Sequence, residues 1–294
     1  MADEMVDAAG EERLAFKPPR NVPPPSLRAL QQVVNRYAEY HGVAPNRVQR
    51  WIAFTVLGAA LSRLSTEDGE PAFLIKGGVS LELRLGLRAR ATKDFDTTFR
   101  GERDTVLAAL RQALTEAYEG FTFRIGGEVR ELTHMTQIGI KIEYMGSVWS
   151  SIKMDVSAHE GTSSPVDEVL AISLADFGLK GPERLPCIPL STQVAQKLHA
   201  MTEDREGGNP NERFRDLWDV WVLRKLAPPT PELRAACEET FSLRGKQGWP
   251  PTVVAHPHWT EPFAALAREG GIPVPDAEQA ARDVAEYVRM ISEA

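Results

Sequence analysis

The stretch Phe73-Leu-Ile-Lys-Gly-Gly-Val-Ser-Leu81, followed by Asp94-Phe-Asp96, decides the fold of this 294-residue chain. A short apolar run, a glycine pair and a second run of alternating character predict a strand, a turn, a helix and another strand. Residues two apart on a strand point to the same face of a sheet, so Asp94 and Asp96 would lie side by side. The expected bounds are Ala72–Ile75 for the first strand, Ser80–Leu85 for the helix and Phe95–Phe99 for the second strand.

The acid pair predicts a cation site. Carboxylates held side by side repel each other, so the arrangement is favoured when a cation lies between them, and oxygen ligands suit Mg²⁺ or Mn²⁺. Asp155 lies in a stretch that also alternates like a strand. On a strand next to that of Asp94, it would complete a two-metal site; otherwise it ends its strand at a turn. A solvated turn or strand edge is the alternative for the acid pair itself.

Gly77 and Gly78 predict a phosphate site beside the acids. Without a Cβ atom the backbone N–H groups can approach a phosphate closely, and the helix N-terminus that follows adds partial positive charge. A plain turn is the alternative. No Lys-Ser/Thr pair follows the glycines, so the segment is not a Walker A loop. A phosphate site next to metal-binding acids is what nucleotide transfer requires.

The composition bounds the class of protein. It is 43% hydrophobic and 26% charged, as in an ordinary globular protein. The chain has no apolar run long enough for a membrane span and no secretory signal, so we expect a cytoplasmic protein without a membrane partner. Cys187 and Cys237 are expected to be buried thiols. The net charge of −7 argues against a histone-like or coating role on nucleic acid, although local patches decide contact with RNA.

The order of elements predicts three regions. Residues 1–25 are acidic and then Pro-rich and are interpreted as a flexible arm; residues 26–185 form a mixed αβ core with N-terminal helices; residues 186–294 form a helical lobe. Helices are predicted from Ser26 and over Pro45–Leu64, Asp104–Tyr118, Leu190–Met201, Arg213–Leu226, Glu261–Arg268 and Ala277–Ser292, with antiparallel strands between Phe121 and Val156.

Four segments in order resemble the AbiEii family of nucleotidyltransferase toxins, a group that includes the mycobacterial MenT toxins. They are Phe73–Leu81, Arg88–Asp96, Val194–Ala200 and Arg213–Val220, so the resemblance extends from Phe73 to about Leu223. It implies an α+β fold with a polymerase-β-like nucleotidyltransferase core, joined to a helical C-terminal lobe, and an active site in the cleft between them.

The resemblance also implies roles for single residues. Asp94 and Asp96 match the metal-binding acids, and Lys76 matches a basic residue that contacts phosphate. Lys197 matches a helical lysine that holds the triphosphate, and Asp216 matches an acid that orients this lysine or assists the site.

The sequence departs from the family after the glycine pair. Val79 stands where Ser or Thr is frequent, so either Ser80 supplies the hydroxyl one residue later or the backbone suffices.

Read from the residues alone, the helical motifs have simpler explanations. Lys197 would be an exposed lysine paired with Glu203 or Asp204, and Asp219, which shares a helix face with Asp216, would pair with Arg213 or Arg215. A basic cluster surrounds the acid pair and is either a solvated face or a path for RNA phosphates. Its members are Arg84, Arg88, Arg90, Lys93, Arg100 and Arg103.

The function implied by the resemblance is that of a toxin in a toxin–antitoxin pair. With Mg²⁺ or Mn²⁺ the enzyme would add a nucleotide from an NTP to the 3′ end of tRNA, release pyrophosphate and block translation, and a cognate antitoxin would be its protein partner. Two alternatives stay open. One is nucleotidyl or phosphoryl transfer to a protein or small-molecule hydroxyl; the other is a non-catalytic nucleotide-binding or partner-binding protein, an idea that Val79 favours.

Overall fold

A computed structural model describes residues 22–160, 165–203, 210–269 and 273–294 of the chain. Most of the predicted N-terminal arm, residues 1–21, lies outside the described residues, as does most of the loop before Asn211. None of the described helices is long and apolar enough to cross a membrane.

The described part of the chain contains nine α-helices and eight β-strands. They follow one another as α1 (Leu27–His41), α2 (Pro45–Leu61), β1 (Phe73–Ile75), α3 (Gly77–Leu85), β2 (Asp94–Phe99), α4 (Val106–Ala113), β3 (Phe121–Ile125), β4 (Arg130–Glu131), β5 (Met135–Tyr144), β6 (Ser147–Ala158), β7 (Asp167–Leu170), β8 (Arg184–Cys187), α5 (Leu190–Thr202), α6 (Phe214–Leu223), α7 (Pro231–Arg244), α8 (Thr260–Glu269) and α9 (Ala277–Glu293). The prediction of a mixed sheet with helices, followed by C-terminal helices, is confirmed.

The described residues form two compact units, each built from three separate segments of the chain. The first holds the residues up to Phe73 together with Lys93–Ala158 and Leu170–Leu185. The second holds Leu74–Thr92, His159–Val169 and Pro186–Ala294. The glycine turn therefore packs with the C-terminal helices, whereas the acidic strand belongs to the first unit.

The first unit is built on a mixed sheet with the strand order β3-β5-β6-β2. Strand β5 pairs with β3 and β6 in the antiparallel sense, and β2 pairs with β6 in parallel. One face of this sheet is apolar and carries Phe95, Ile138 and Met154, which are fully buried. Helix α2 covers this face, with the ring of Phe54 centred 5.7 Å from that of Phe95. Helix α2 is itself buried along most of its length. The residues that alternate with the apolar ones point to the opposite face of the strands, which carries polar side chains.

Helices α5 to α9 and α3 enclose the core of the second unit. Trp218 and Trp259 are almost completely buried in it, together with Leu81 of α3 and Phe263 of α8. Trp221, which lies with Trp218 on α6, is buried as well. Strand β1 adds a parallel pairing with β8, where Ile75 lies opposite Cys187.

Strands β7 and β8 were not predicted, and two helices also differ from the predicted elements. The helix expected over Asp104–Tyr118 is the shorter α4, because the chain leaves the helix after Ala113 and Tyr118 forms an isolated antiparallel bridge with Phe121. Helix α7 was missed because its apolar residues are sparse. Its ends carried a signal nevertheless: Thr230 caps the first turn before a proline, and Gly245 ends the helix in a left-handed conformation.

Candidate active site

Strands β2 and β6 bring the three predicted metal ligands onto one face of the sheet in the first unit. In the parallel pairing Asp96 lies opposite Asp155 and Asp94 lies opposite Lys153. Asp155 is thus in the middle of a strand and not at a turn. Gln137 of the neighbouring strand β5 lies opposite Asp155 and donates its side-chain N–H to Oδ1 at 3.0 Å. The alternation of both strands places all these side chains away from the apolar core.

The ammonium of Lys153 lies between two of these carboxylates. Its Nζ atom is 3.3 Å from Oδ1 of Asp94 and 3.6 Å from Oδ2 of Asp155. Partial burial by itself would lower the pKa of Lys153, but the charges of Asp155 and Asp94 raise it above the ordinary value. The arrangement shows that a positive charge at this point is stabilised by the acids.

The donor set on this face has the chemistry of a divalent metal site. Asp94, Asp96 and Asp155 offer carboxylate oxygens, the ligands that Mg²⁺ and Mn²⁺ prefer. Among the described residues no three His, Cys, Asp or Glu side chains are grouped closely enough to form a ready-made metal site. The carboxylate oxygens on this face are suited to a cation, and they already hold the ammonium of Lys153. The assignment of the three ligands stays a prediction.

The glycine turn of the second unit has two separate structural requirements. Helix α3 begins at Gly77, which has a positive φ of 61°, a conformation that favours glycine. At Gly78 a Cβ atom would lie only 2.5 Å from Oγ1 of Thr92. Lys76 precedes the helix in an extended conformation. The two glycines are thus needed for the turn and its packing, and the phosphate contacts of Lys76 and the glycines stay predictions.

Ser80 is fully buried in the second unit. Its hydroxyl donates to Oε1 of Gln193 at 3.1 Å, and the amide of Gln193 donates in turn to the carbonyl of Gly77 at 2.9 Å. Arg84 lies 3.4 Å from the same hydroxyl. Ser80 therefore connects helix α5 to the glycine turn, and a direct contact of its hydroxyl with a nucleotide stays a prediction.

Helices α5 and α6 form a buried charge cluster around Lys197. Its Nζ atom donates to Oδ1 of Asp216 at 2.8 Å and to Oδ2 of Asp219 at 2.6 Å. Asp219 also accepts two hydrogen bonds from Arg90, each 2.7 Å long. Lys197 is therefore not the exposed lysine of the simpler interpretation, because its side chain is only 10% exposed and both partners lie on α6.

The charges of the cluster stabilise one another in the protein interior. Burial lowers the pKa of Lys197, but the charges of Asp216 and Asp219 outweigh burial and raise it. Burial raises the pKa of Asp219, but Arg90 and Lys197 outweigh it and lower the pKa. Two cations and two carboxylates balance, as buried charges must when water is excluded.

The partners expected for Asp219 were wrong. It binds Arg90, which lies far away in the sequence, whereas Arg213 is 3.7 Å from Oδ2 of Asp216. In the sequence Arg90 belonged to the basic cluster and to the family-like segment Arg88–Asp96, and neither assigned it a partner. Its position before the acidic strand carried no signal for a partner on α6.

Several members of the basic cluster form internal contacts. Arg84 pairs with Asp167, Arg90 with Asp219 and Arg100 with Glu70, while Arg103 donates to the carbonyl groups of Leu132 and Thr133. Both earlier interpretations, a solvated face or a path for RNA, thus overlooked a structural role for much of the cluster.

Asn211 is a further residue that the sequence did not reveal. Its side-chain amide donates to the carbonyl groups of Ala200, Met201 and Glu203 at the end of α5, and its side-chain oxygen accepts from the N–H of Arg213 just before α6. It therefore satisfies the carbonyls that a helix C-terminus leaves open and connects the helix of Lys197 to that of Asp216.

Comparison with known families identifies the chain. The model of the family described as "Nucleotidyl transferase AbiEii toxin, Type IV TA system" matches residues 59–289, a range that contains every residue of the site described above. The chain belongs to the AbiEii family. It is thus a nucleotidyltransferase of a toxin–antitoxin family, as the four motifs predicted. No curated protein sequence matches the chain.

This AbiEii chain is similar to several solved structures. MenT4, the nucleotidyltransferase toxin Rv2826c from Mycobacterium tuberculosis H37Rv, is 18% identical, with 90% of each chain covered and a TM-score of 0.62. JHP933 from Helicobacter pylori is 14% identical, with 89% of this chain and 92% of that chain covered and a TM-score of 0.46. The likeness to MenT4 shows that the two chains share a fold.

Proposed function

We propose that this AbiEii-family enzyme transfers a nucleotide from an NTP to the 3′ end of tRNA and thereby stops translation. The observation that carries the transfer reaction is the placement of Asp94, Asp96 and Asp155 on one polar face of two paired strands. The tRNA acceptor and the stop of translation follow from the family resemblance. The 3′ hydroxyl of the tRNA attacks the α-phosphorus of the NTP and loses its proton. The bond from the α-phosphorus to the bridging oxygen breaks, and pyrophosphate leaves.

The acidic face is the proposed metal site. Asp94, Asp96 and Asp155 would hold Mg²⁺ or Mn²⁺, with Gln137 fixing the carboxylate of Asp155 through its hydrogen bond. When bound, the metal supplies positive charge that offsets the charge of the phosphates and lowers the pKa of the attacking hydroxyl. In the metal-free chain, Lys153 partly neutralises the acids and keeps them together.

The basic residues of the second unit are proposed to serve the phosphates. Lys76 and the N–H groups after Gly77 and Gly78 offer positive charge at the start of α3. Lys197 carries a positive charge that its two carboxylate partners maintain. Charge that builds up on the leaving pyrophosphate would be stabilised by such fixed cations. Ser80 is proposed to hold the glycine turn in place through Gln193 and to assist nucleotide binding from there.

The antitoxin is a second proposed partner. The family to which the chain belongs is described as the toxin of type IV toxin–antitoxin systems, and a toxin of this kind requires a cognate antitoxin. We therefore expect a protein encoded with this chain to suppress its activity on tRNA.

Label transfer tests the proposed reaction. The purified protein is incubated with MgCl₂, total tRNA and each α-³²P-labelled NTP in turn. Asp94→Asn keeps the size of the side chain but removes its charge, and we expect it to reduce the labelling of tRNA by about 100-fold or more, since metal-bound charge is worth several kcal/mol in the transition state. Asp68→Asn, in an exposed turn of the same unit, is the matched control and should label tRNA like the unmodified chain.

The outcomes separate the proposal from its alternatives. Label on a protein or a small molecule, with unlabelled tRNA, would show a different acceptor. Equal labelling of tRNA by the Asp94→Asn variant would remove the metal site from the acidic face. No label from any NTP would favour a non-catalytic nucleotide-binding protein.

A further inference from the structure

Asp219 is the most constrained residue of the buried charge cluster. Its side chain is completely buried, and both carboxylate oxygens are occupied. Oδ1 accepts from Nε of Arg90, and Oδ2 accepts from a terminal nitrogen of Arg90 as well as from Nζ of Lys197. A bidentate arginine fixes the plane of a carboxylate, which a single donor does not. The oxygen that Lys197 contacts is therefore held in one place.

Arg90 is itself held in place. The neighbouring Ala89 is fully buried, and the backbone N–H of Thr92 donates to the carboxylate of Glu82 at 3.1 Å. Burial lowers the pKa of Arg90, but the charge and hydrogen bonds of Asp219 outweigh it and raise the pKa, with smaller contributions from the charges of Asp216 and Glu82. The guanidinium is thus part of a fixed segment and not a mobile surface side chain.

Asp216 is held less firmly than Asp219. It accepts one short hydrogen bond from Lys197, and its second oxygen has Arg213 at 3.7 Å, a residue whose side chain is 52% exposed. Of the two carboxylates that contact Lys197, only Asp219 is held on both oxygens by a buried partner. The direction of the ammonium is therefore set mainly from the side of Asp219.

The donors of Lys197 show why its direction matters. An ammonium has three N–H donors, and two of them point to Asp216 and Asp219. Within the described residues the third has no hydrogen-bond acceptor. With two donors committed, the direction of the third follows from the geometry of the two carboxylates. A contact of this N–H with a phosphate requires that the carboxylates stay where they are.

We propose that Arg90 is a positioning residue that acts through Asp219 to fix the ammonium of Lys197 in the orientation in which its remaining N–H meets the triphosphate. The triphosphate part of this proposal rests on the proposed function, whereas the coupling of Arg90 to Lys197 does not. Arg90 does not touch the substrate in this arrangement.

The first test observes Lys197 directly. The protein is labelled with ¹⁵N-lysine, and the Nζ–H cross-peak of Lys197 is assigned by its absence in a Lys197→Met variant. A buried, hydrogen-bonded ammonium exchanges slowly enough to give such a peak, so we expect it in the unmodified chain. Arg90→Gln is expected to abolish or shift the peak, because Asp219 loses its fixed orientation. Arg90→Lys keeps the charge but not the bidentate contact and should give an intermediate effect.

A matched control separates positioning from general destabilisation. Arg224→Gln breaks another partly buried ion pair of the same unit, with Asp283, that does not touch the cluster. It should lower stability while leaving the Lys197 peak unchanged. If Arg90→Gln does not fold, Arg90→Lys carries the test alone. An unchanged Lys197 peak in a folded Arg90 variant would overturn the proposal.

The second test measures binding of inorganic tripolyphosphate in MgCl₂ by calorimetry. We expect Arg90→Gln to weaken binding by about 10- to 100-fold, the range seen when the hydrogen-bond partner of a metal ligand is removed, and Arg224→Gln to bind like the unmodified chain. If Lys197→Met weakens binding but Arg90→Gln binds with unmodified affinity, the proposal is overturned. If the Lys197 peak responds to Arg90 but Lys197→Met binds tripolyphosphate normally, the coupling holds and the triphosphate role of Lys197 in the proposed function fails.

Discussion

Replacing Gly78 by alanine would test why the glycine turn needs its second glycine. A Cβ atom at this position would lie 2.5 Å from Oγ1, 2.6 Å from Cβ and 3.2 Å from Cγ2 of Thr92. Rotation of the threonine side chain can move Oγ1 and Cγ2, but its Cβ atom moves only with the backbone. That backbone is held by the hydrogen bond from the N–H of Thr92 to Glu82. The clash therefore cannot be relieved locally.

The expected loss of stability follows from two opposing terms. Overpacking of a tight contact costs typically about 1–3 kcal/mol, and the stiff partner places this case at the upper end. Alanine in place of glycine inside a helix gains about 0.5–1 kcal/mol. We therefore expect Gly78→Ala to lower the free energy of unfolding by about 2 kcal/mol. Gly248→Ala, where the new Cβ atom meets nothing within 4 Å, should change stability by less than about 0.5 kcal/mol.

Urea unfolding followed by tryptophan fluorescence measures the effect, because Trp218, Trp221, Trp249 and Trp259 all lie in the second unit. The double variant Gly78→Ala/Thr92→Gly removes all three clashing atoms and should be more stable than the sum of the single changes predicts. A Gly78→Ala variant as stable as the unmodified chain, or strict additivity in the double variant, would refute the reasoning. Because the clash is absent in the double variant, its nucleotide-transfer activity then shows whether Gly78 is also needed to bind phosphate.

Two further predictions concern the acidic face and the cysteines. Lys153→Met removes the ammonium between Asp94 and Asp155, so we expect the chain to bind Mg²⁺ roughly 2- to 5-fold more tightly in calorimetry. This factor corresponds to about 0.5–1 kcal/mol, the scale of an exposed ion pair. Unchanged or weaker Mg²⁺ binding would contradict the placement of the metal. Burial raises the pKa of both Cys187 and Cys237 to about 12. Neither thiol should therefore react with a disulfide reagent at pH 8 in the native chain, and both should react in guanidinium chloride; a fast native reaction would show that a thiol is accessible.

The sequence by itself determined the features that depend on a regular spacing of residues along the chain. The alternation around Asp94 and Asp155 predicted strands with their acids on one face, and the structure pairs those strands directly. Apolar spacing located most helices to within a few residues, and the burial of Cys187 and Cys237 is confirmed. These features are local because the periods of strands and helices are set by the backbone.

Only the tertiary structure decided which charged residues meet. Arg90 and Asp219 are 129 positions apart, and nothing in their local sequence distinguishes this pair from the pairs expected within α6. The same is true of Lys153 beside Asp94, of Asn211 at the end of α5 and of Thr92 against Gly78. A buried charge takes whichever partner the packing brings within hydrogen-bond distance. That distance depends on how strands pair and helices pack, which a one-dimensional pattern does not contain.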